Sequence, residues 1–445
     1  MTTRDAIPAG ARPGTPCGVQ RMRLRYGFNE IEAWWSFCLG EHRDRIRKHL
    51  RRMGTSVIRI FVYGKPVPDP VTQWPMFAAY VQGVLDVGAV PMITFAKFHP
   101  PHDDPRNIRT FVTRCTEIVW GCMEQWGARA VSEWYWCVWN EPNNFIIGGG
   151  LTFEQYRRIY EEVAAAILEL IGPHLRGAKA RIGGPAVDGT HQPFWMDWIA
   201  RLVSEVDDAM VGFVSWHRYG DWRPAVPSET LGVEMHGAPQ APHGPAYERL
   251  LMAQTPTYEA RARGVSRLLV GRDILNVCGE VNGISHHDHR YTRRSNQSAF
   301  GAAYYASALI HLLRGGADVE MRWTATGDDA YALLSREGEP SVACLGKELF
   351  AGHVRYGDLV HFPCGPPGAL DVEAVVACAD GRRSGVFVHT CPGPRTVVVS
   401  DWDETLGDGQ VLLRVDESTG DRVVSERFDG TVRFSGHGVA VVTTG

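Results

Sequence analysis

What most constrains this chain is an alternation that runs through its first four-fifths: a short apolar, β-branched stretch, then a longer one with apolar residues at helical spacing, repeated eight times. The strand-like runs fall at 24–29, 56–63, 89–95, 134–139, 180–186, 211–219, 274–282 and 319–323. The helical stretches between and after them fall at 41–53, 72–87, 107–126, 152–171, 193–206, 258–270, 297–313 and 341–352. A run apolar on both alternations reads as a strand covered on both faces, and strands separated by helices must lie parallel, because the helix is the crossover. Eight such units over roughly 320 residues predict an α/β fold, a (β/α)8 TIM barrel.

From about residue 353 helical spacing disappears and short alternating runs take over, at 374–377, 385–388, 396–399, 411–415 and 438–442. That texture predicts a small appended C-terminal β-sandwich. The expected organisation is therefore a flexible N-terminal arm over 1–18, a barrel over 19–352 and a sandwich over 353–445. Residues 220–248, rich in Pro, Gly and His, are too long for a routine connection and read as a lid or pocket wall.

Composition excludes several classes. A net charge of −4 without a long charge run argues against a nucleic-acid or anionic-membrane surface. No apolar segment reaches the length of a bilayer span, and the first residues lack the apolar core of a secretory signal, so a cytoplasmic protein is expected. The ten cysteines form no Cys-x-x-Cys pair, and Cys137 and Cys278 sit inside strand-like runs; they read as reduced packing residues. No metal or other cofactor is expected, and oligomeric state is not legible.

Chemistry concentrates where two of the strands end. The fourth run stops abruptly at Asn140-Glu141-Pro142-Asn143, since proline removes a ladder donor and holds Glu141 extended at the strand's C-terminal lip. The seventh run ends in the same way at Glu280. Barrel enzymes keep their chemistry at that lip, and ends of the fourth and seventh strands face each other across the mouth. Two carboxylates so placed suit hydrolysis of a glycosidic bond, one as nucleophile and the other as acid, then base. The like charge of Glu280 should help to keep Glu141 protonated.

These residues carry a resemblance. The stretch 136–143, Arg181-Ile-Gly-Gly-Pro-Ala186, His217-Arg-Tyr219, Glu280 and Trp323-Thr324, in order at barrel spacing, resemble glycoside hydrolase family 39, the β-xylosidase and α-L-iduronidase family. The resemblance implies a barrel with a β-sandwich, a retaining double displacement through a covalent glycosyl-enzyme, and a glycoside or oligosaccharide substrate. It implies Glu141 as acid/base, Glu280 as nucleophile, and Asn140 as partner of the sugar's 2-hydroxyl. It further implies that His217 contacts the sugar, that Tyr219 and Arg59 hold the nucleophile, and that Trp323 is the platform beneath the ring. Exo action on β-linked, xyloside-like substrates is expected, with an endo-acting glycanase and a non-catalytic sugar-binding barrel as alternatives.

Two positions depart from the family pattern. Val281 follows the nucleophile where an aromatic is common, and Phe61 stands shortly after Arg59 where a histidine is common. Both bear on the shape of the sugar pocket rather than on the carboxylates. The run Ser285-His286-His287-Asp288-His289 also invites a metal reading and hence a metal-dependent hydrolase. Adjacent loop residues turn poorly to one ion, however, and a solvated loop or a substrate contact is preferred.

Overall fold

The computed structural model describes residues 4–8, 19–30, 33–62, 70, 72–192, 194–220, 245–284, 289–363, 371–379, 381–400 and 410–444. Most of the 220–248 segment and residues 285–288 of the histidine-rich run lie outside them.

Eight parallel strands close into a barrel: Arg25–Asn29, Thr55–Val62, Val90–Phe95, Tyr135–Val138, Ile182–Asp188, Phe213–Tyr219, Leu275–Asn282 and Val319–Trp323, the eighth pairing with the first. The predicted runs match these strands to within a residue or two. The lower barrel is filled by inward side chains, among them Val57, Met92, Tyr135, Cys137, Phe213, Val277, Val319 and Met321. Their neighbours Ile58, Ile93, Trp136, Trp216 and Cys278 point outward into the helix layer. Both alternations are thus buried, which is why the strands read as continuous apolar runs. Above the plug the inward positions turn polar, with Asn29, Arg59, Thr94, His217 and Glu280.

The helices start where local chemistry lets them. Thr152 and Gln155 form a reciprocal capping box at Phe153–Ile171, and Asp104, Ser298 and Ser341 accept from first-turn amides of Pro105–Trp126, Ala299–Gly315 and Val342–His353. Four helices were not predicted. Trp34–Cys38 and Ala128–Ser132 are single turns too short for a period, Pro245–Met252 is barely longer, and His289–Gln297 lacks an apolar stripe in its sequence. No helix among the described residues is long and apolar enough to cross a membrane.

The C-terminal region is a two-sheet sandwich, and the N-terminal residues complete it. Gln20–Arg21 pairs with Leu359–His361 at the edge of a seven-stranded sheet. Arg4–Pro8, in the stretch expected to be a flexible arm, runs parallel to Arg395–Ser400 in a three-stranded sheet. An exposed sheet edge recruits whatever backbone reaches it, and so short a pairing leaves no hydrophobic period to read. The sandwich therefore draws on residues well before 353.

Period two explains how sandwich and barrel become one body. Phe387, Ala440 and Val442 face the second sheet, while Val386, Val388, Val439 and Val441 join the barrel's core. The helix Ala299–Gly315, caught between barrel and sheet, is buried at every residue but Arg314. In the same layer Lys347 donates to Glu320, both wholly buried, and Tyr305 Oη donates to Glu320 Oε2 at 2.7 Å. Burial lowers the Lys347 ammonium to about 8, against the pull of Glu320.

Removing one partner of such a pair strands the other charge without water. Lys347→Met should cost about 3–5 kcal/mol in chemical denaturation. Adding Glu320→Gln should return a large part of that. A single variant as stable as the wild type would mean that the pair is wet.

Candidate active site

The polar layer is organised around one guanidinium. Arg59, inward on the second strand and 1% exposed, is tolerated there only with its donors met. Its Nη1 donates to Glu280 Oε1 at 3.0 Å and to Asn29 Oδ1 at 3.2 Å, its Nη2 to Asn140 Oδ1 at 2.8 Å, and its Nε to Thr94 Oγ1 at 2.9 Å. On its mouth side the Phe61 ring centre lies 4.3 Å from the guanidinium carbon, and Phe61 meets Trp323 edge to face. The departure at position 61 thus puts an apolar ring between the arginine and Trp323 at the lip, and Val281 packs outward into the helix layer.

Glu280 is aimed by a bulge. Pairing of the sixth and seventh strands jumps from Trp216↔Cys278 to His217↔Glu280, so Gly279 is the extra residue. A Cβ there would stand 2.4 Å from Ser215 Oγ, and the Gly279 carbonyl accepts from Asn29 Nδ2 at 2.9 Å. With the bulge in place Glu280 lies beside His217, and its second oxygen, Oε2, accepts from Tyr219 Oη at 2.6 Å.

The proline that follows Glu141 predicts an extended residue, but Glu141 sits instead on strained backbone with φ of 50° in the left-handed region, where the Ala186 carbonyl and the returning Gly148 loop hold it. Its amide donates to the carbonyl of Ala186, itself at φ 53°. Its own carbonyl is crowded by Gly148, where a Cβ would stand 1.8 Å away, so only glycine lets the loop fold back. His217 Nδ1 bonds Glu141 Oε1 at 2.8 Å, and Asn144 Nδ2 donates to Glu141 Oε2 at 3.3 Å. Asn144 is oriented in turn by Asp188, whose Oδ2 accepts from its Nδ2 at 3.0 Å. Burial alone would push the Asp188 carboxyl up, but the His191 ring and the amides of His191 and Thr190 hold it below the ordinary range.

His217 is wholly buried between the two carboxylates. Desolvation lowers its pKa to about 4, outweighing the pull of Glu280, with Arg59 adding to the depression. The hydrogen bonds agree: Arg59 Nη1 faces Nε2 at 3.4 Å, so Nε2 is the acceptor and the single proton sits on Nδ1, toward Glu141. Glu141, His217 and Glu280 each offer an atom within 4.8 Å of the others, a set that could in principle hold a cation. The fit is poor, because the Arg59 charge already lies on Glu280 and Nδ1 is spent as a donor.

The structure thus brings together Arg59, Asn140, Glu141, His217, Tyr219 and Glu280, all buried, with the half-exposed Trp323 at the lip beside Phe61. Asn29, Thr94, Asn144 and Asp188 were missed. Asn29 and Asp188 are polar residues that end strands, the signal by which Glu141 and Glu280 were found, whereas Thr94 lies inside its strand and Asn144 in the turn after Glu141.

Comparison with known proteins points the same way. Residues 75–246 match the model of glycosyl hydrolases family 39, the family that the motifs resemble. A β-xylosidase of Caldicellulosiruptor saccharolyticus is 27% identical over 238 residues, 45% of this chain and 46% of that protein. A β-xylosidase of Geobacillus stearothermophilus is 28% identical over 27% of this chain and 22% of its own. The matches span less than half the length of either relative. A family 39 β-xylosidase structure from Caulobacter crescentus superposes with a TM-score of 0.64 over 99% of both chains, at 15% identity, and so shares the fold.

The neutral His217 has a consequence for stability. Between pH 6.5 and 4 the unfolded imidazole binds a proton that the folded one refuses, so the unfolded state holds more protons and stability falls as pH falls through that window. Urea unfolding at pH 7 and 4.5 should show His217→Asn losing about 2–3 kcal/mol less than the wild type. Equal losses would mean that His217 is already charged in the fold.

Proposed function

We propose that this chain is a retaining β-glycosidase whose nucleophile is Glu280 and whose acid/base is Glu141. The observation that carries this reading is the spacing of the two buried carboxylates, an oxygen of each lying within 4.8 Å of the other. So short a gap between nearest oxygens is in keeping with the close carboxyl pair of retaining enzymes, roughly 5–5.5 Å between the groups, rather than with the roughly 6.5–9.5 Å that admits an inverting water. The family match and the β-xylosidase relatives support a β-linked, xyloside-like glycone, and exo action is proposed with it.

Each neighbour then has a task. Arg59 and Tyr219 hold one oxygen apiece of Glu280, keeping the carboxylate in line with the anomeric carbon. As the bond from that carbon to the leaving oxygen breaks, Glu141 passes its proton to the oxygen and Glu280 forms the ester. Glu141, now a carboxylate, takes a proton from water, the water oxygen bonds the anomeric carbon, and Glu280 leaves as it arrived. Asn140, with its Oδ1 fixed on Arg59, offers Nδ2 to the 2-hydroxyl, where charge development strengthens the bond. His217, neutral, spaces the carboxylates without adding a positive charge. Trp323 supplies the apolar face under the ring.

Roles separate the two glutamates experimentally. Glu280→Ala should fall to background on a panel of aryl β-xylosides, glucosides and galactosides. Glu141→Ala should lose about 10²–10⁴-fold on substrates needing protonation, yet keep a fast first step on a dinitrophenyl glycoside. Azide should then restore its turnover and release the β-glycosyl azide. NMR of the first-formed wild-type product should show retained configuration, and chelator should change nothing. An inverted product, or azide rescue of Glu280→Ala to the β-azide with Glu141→Ala inert, would sink the assignment.

A further inference from the structure

The loop that carries Glu141 does something the carboxylates do not require. Immediately after Asn144 it presents Phe145, Ile146 and Ile147 at 82%, 48% and 39% exposure. Water-facing apolar side chains are ordinary on loose loops, but this one is pinned. The Asn144 amide donates to the Glu141 carbonyl, the amides of Gly148 and Gly150 to that of Asn144, and the Leu151 amide to that of Pro142. Trp139 Nε1 holds the Gly148 carbonyl at 2.9 Å. The Phe145 ring lies against Gly150, where a Cβ would stand 2.6 Å from it. A fixed, solvent-facing Phe-Ile-Ile cluster beside a polar cleft is the kind of surface that binds a ligand.

The loop is braced from the side as well, since the end of the fifth strand is tied to it by two bonds between the Asn143 side chain and the Asp188 backbone and by the one from Asn144. Position decides what could lie there. An acid that protonates the leaving oxygen must touch the aglycone side of the bond, so the residues that follow it on its own loop flank the departing group. Composition decides the chemistry. The amides of Ile146 and Ile147 are spent on Asn144 Oδ1 and the Ile147 carbonyl on Lys97 Nζ, so the cluster offers carbon surface where a sugar, with hydroxyls around its rim, needs donors and acceptors.

We infer that Phe145, Ile146 and Ile147 form the leaving-group site and select glycosides whose aglycone is an apolar aryl or alkyl group rather than a second sugar. This rests on Glu141 being the acid.

Two substrates with the same glycone test it: 2-naphthylmethyl β-D-xyloside and β-1,4-xylobiose. Phe145→Ala should lose roughly tenfold in kcat/KM on the first, mostly through KM, and less than about threefold on the second, while Phe145→Leu keeps most of the wild-type ratio. Equal losses on both substrates would overturn the inference, and a larger loss on xylobiose would make Phe145 a platform for a second sugar instead. Wild-type enzyme that cleaves neither substrate would count against the xylosidase reading itself, a distinct failure.

Discussion

One buried positive charge organises this molecule. An arginine at 1% exposure inside a barrel is tolerated only if its donors are met, and Arg59 draws them from the strands around it. Asn29 comes from the first strand, Thr94 from the third, Asn140 from the end of the fourth and Glu280 from the seventh. The fork geometry of a guanidinium matters, since a lysine could reach one or two of these oxygens but not all. Closing the barrel and assembling the site are therefore one event, because the partners converge only when the eighth strand meets the first. Burial keeps His217 neutral, the same charge adds to that, and it makes a divalent cation unwelcome.

The rest of the fold holds strain that the site needs. Gly279 bulges the seventh strand, Ala186 bulges the fifth, and Glu141 is bent into the left-handed region against a glycine that alone leaves room. Such conformations persist where surroundings over-determine them. Here those surroundings are a dry plug below, a helix buried almost all round behind the eighth strand, and a sheet whose two faces serve two cores. The sandwich thus packs against the helices Ala299–Gly315 and Val342–His353 that flank the eighth strand.

Rigidity also gives meaning to the apolar cluster at the mouth. Hydrophobic side chains on a mobile loop would fold down onto the surface, but a loop bonded at Asn144, Gly148, Gly150 and Leu151 keeps Phe145 in water until something covers it.

The amino-acid order by itself determined the eight strand–helix units, the change of texture near residue 353, and the two glutamates at the ends of the fourth and seventh runs. Each is a local signal: a hydrophobic period, a proline that stops a strand, a charge where an apolar run ends. Only the tertiary structure decided that Asn29 and Thr94 serve Arg59, that Gly279 turns Glu280 toward His217, that Asp188 reaches Glu141 through Asn144, and that Arg4–Pro8 belongs to a sheet nearly four hundred residues away in sequence. Those depend on register and on the closing of a barrel, which bring together residues that have no pattern between them along the chain. A period is written in neighbours, whereas a buried charge is satisfied by whatever the fold delivers to it.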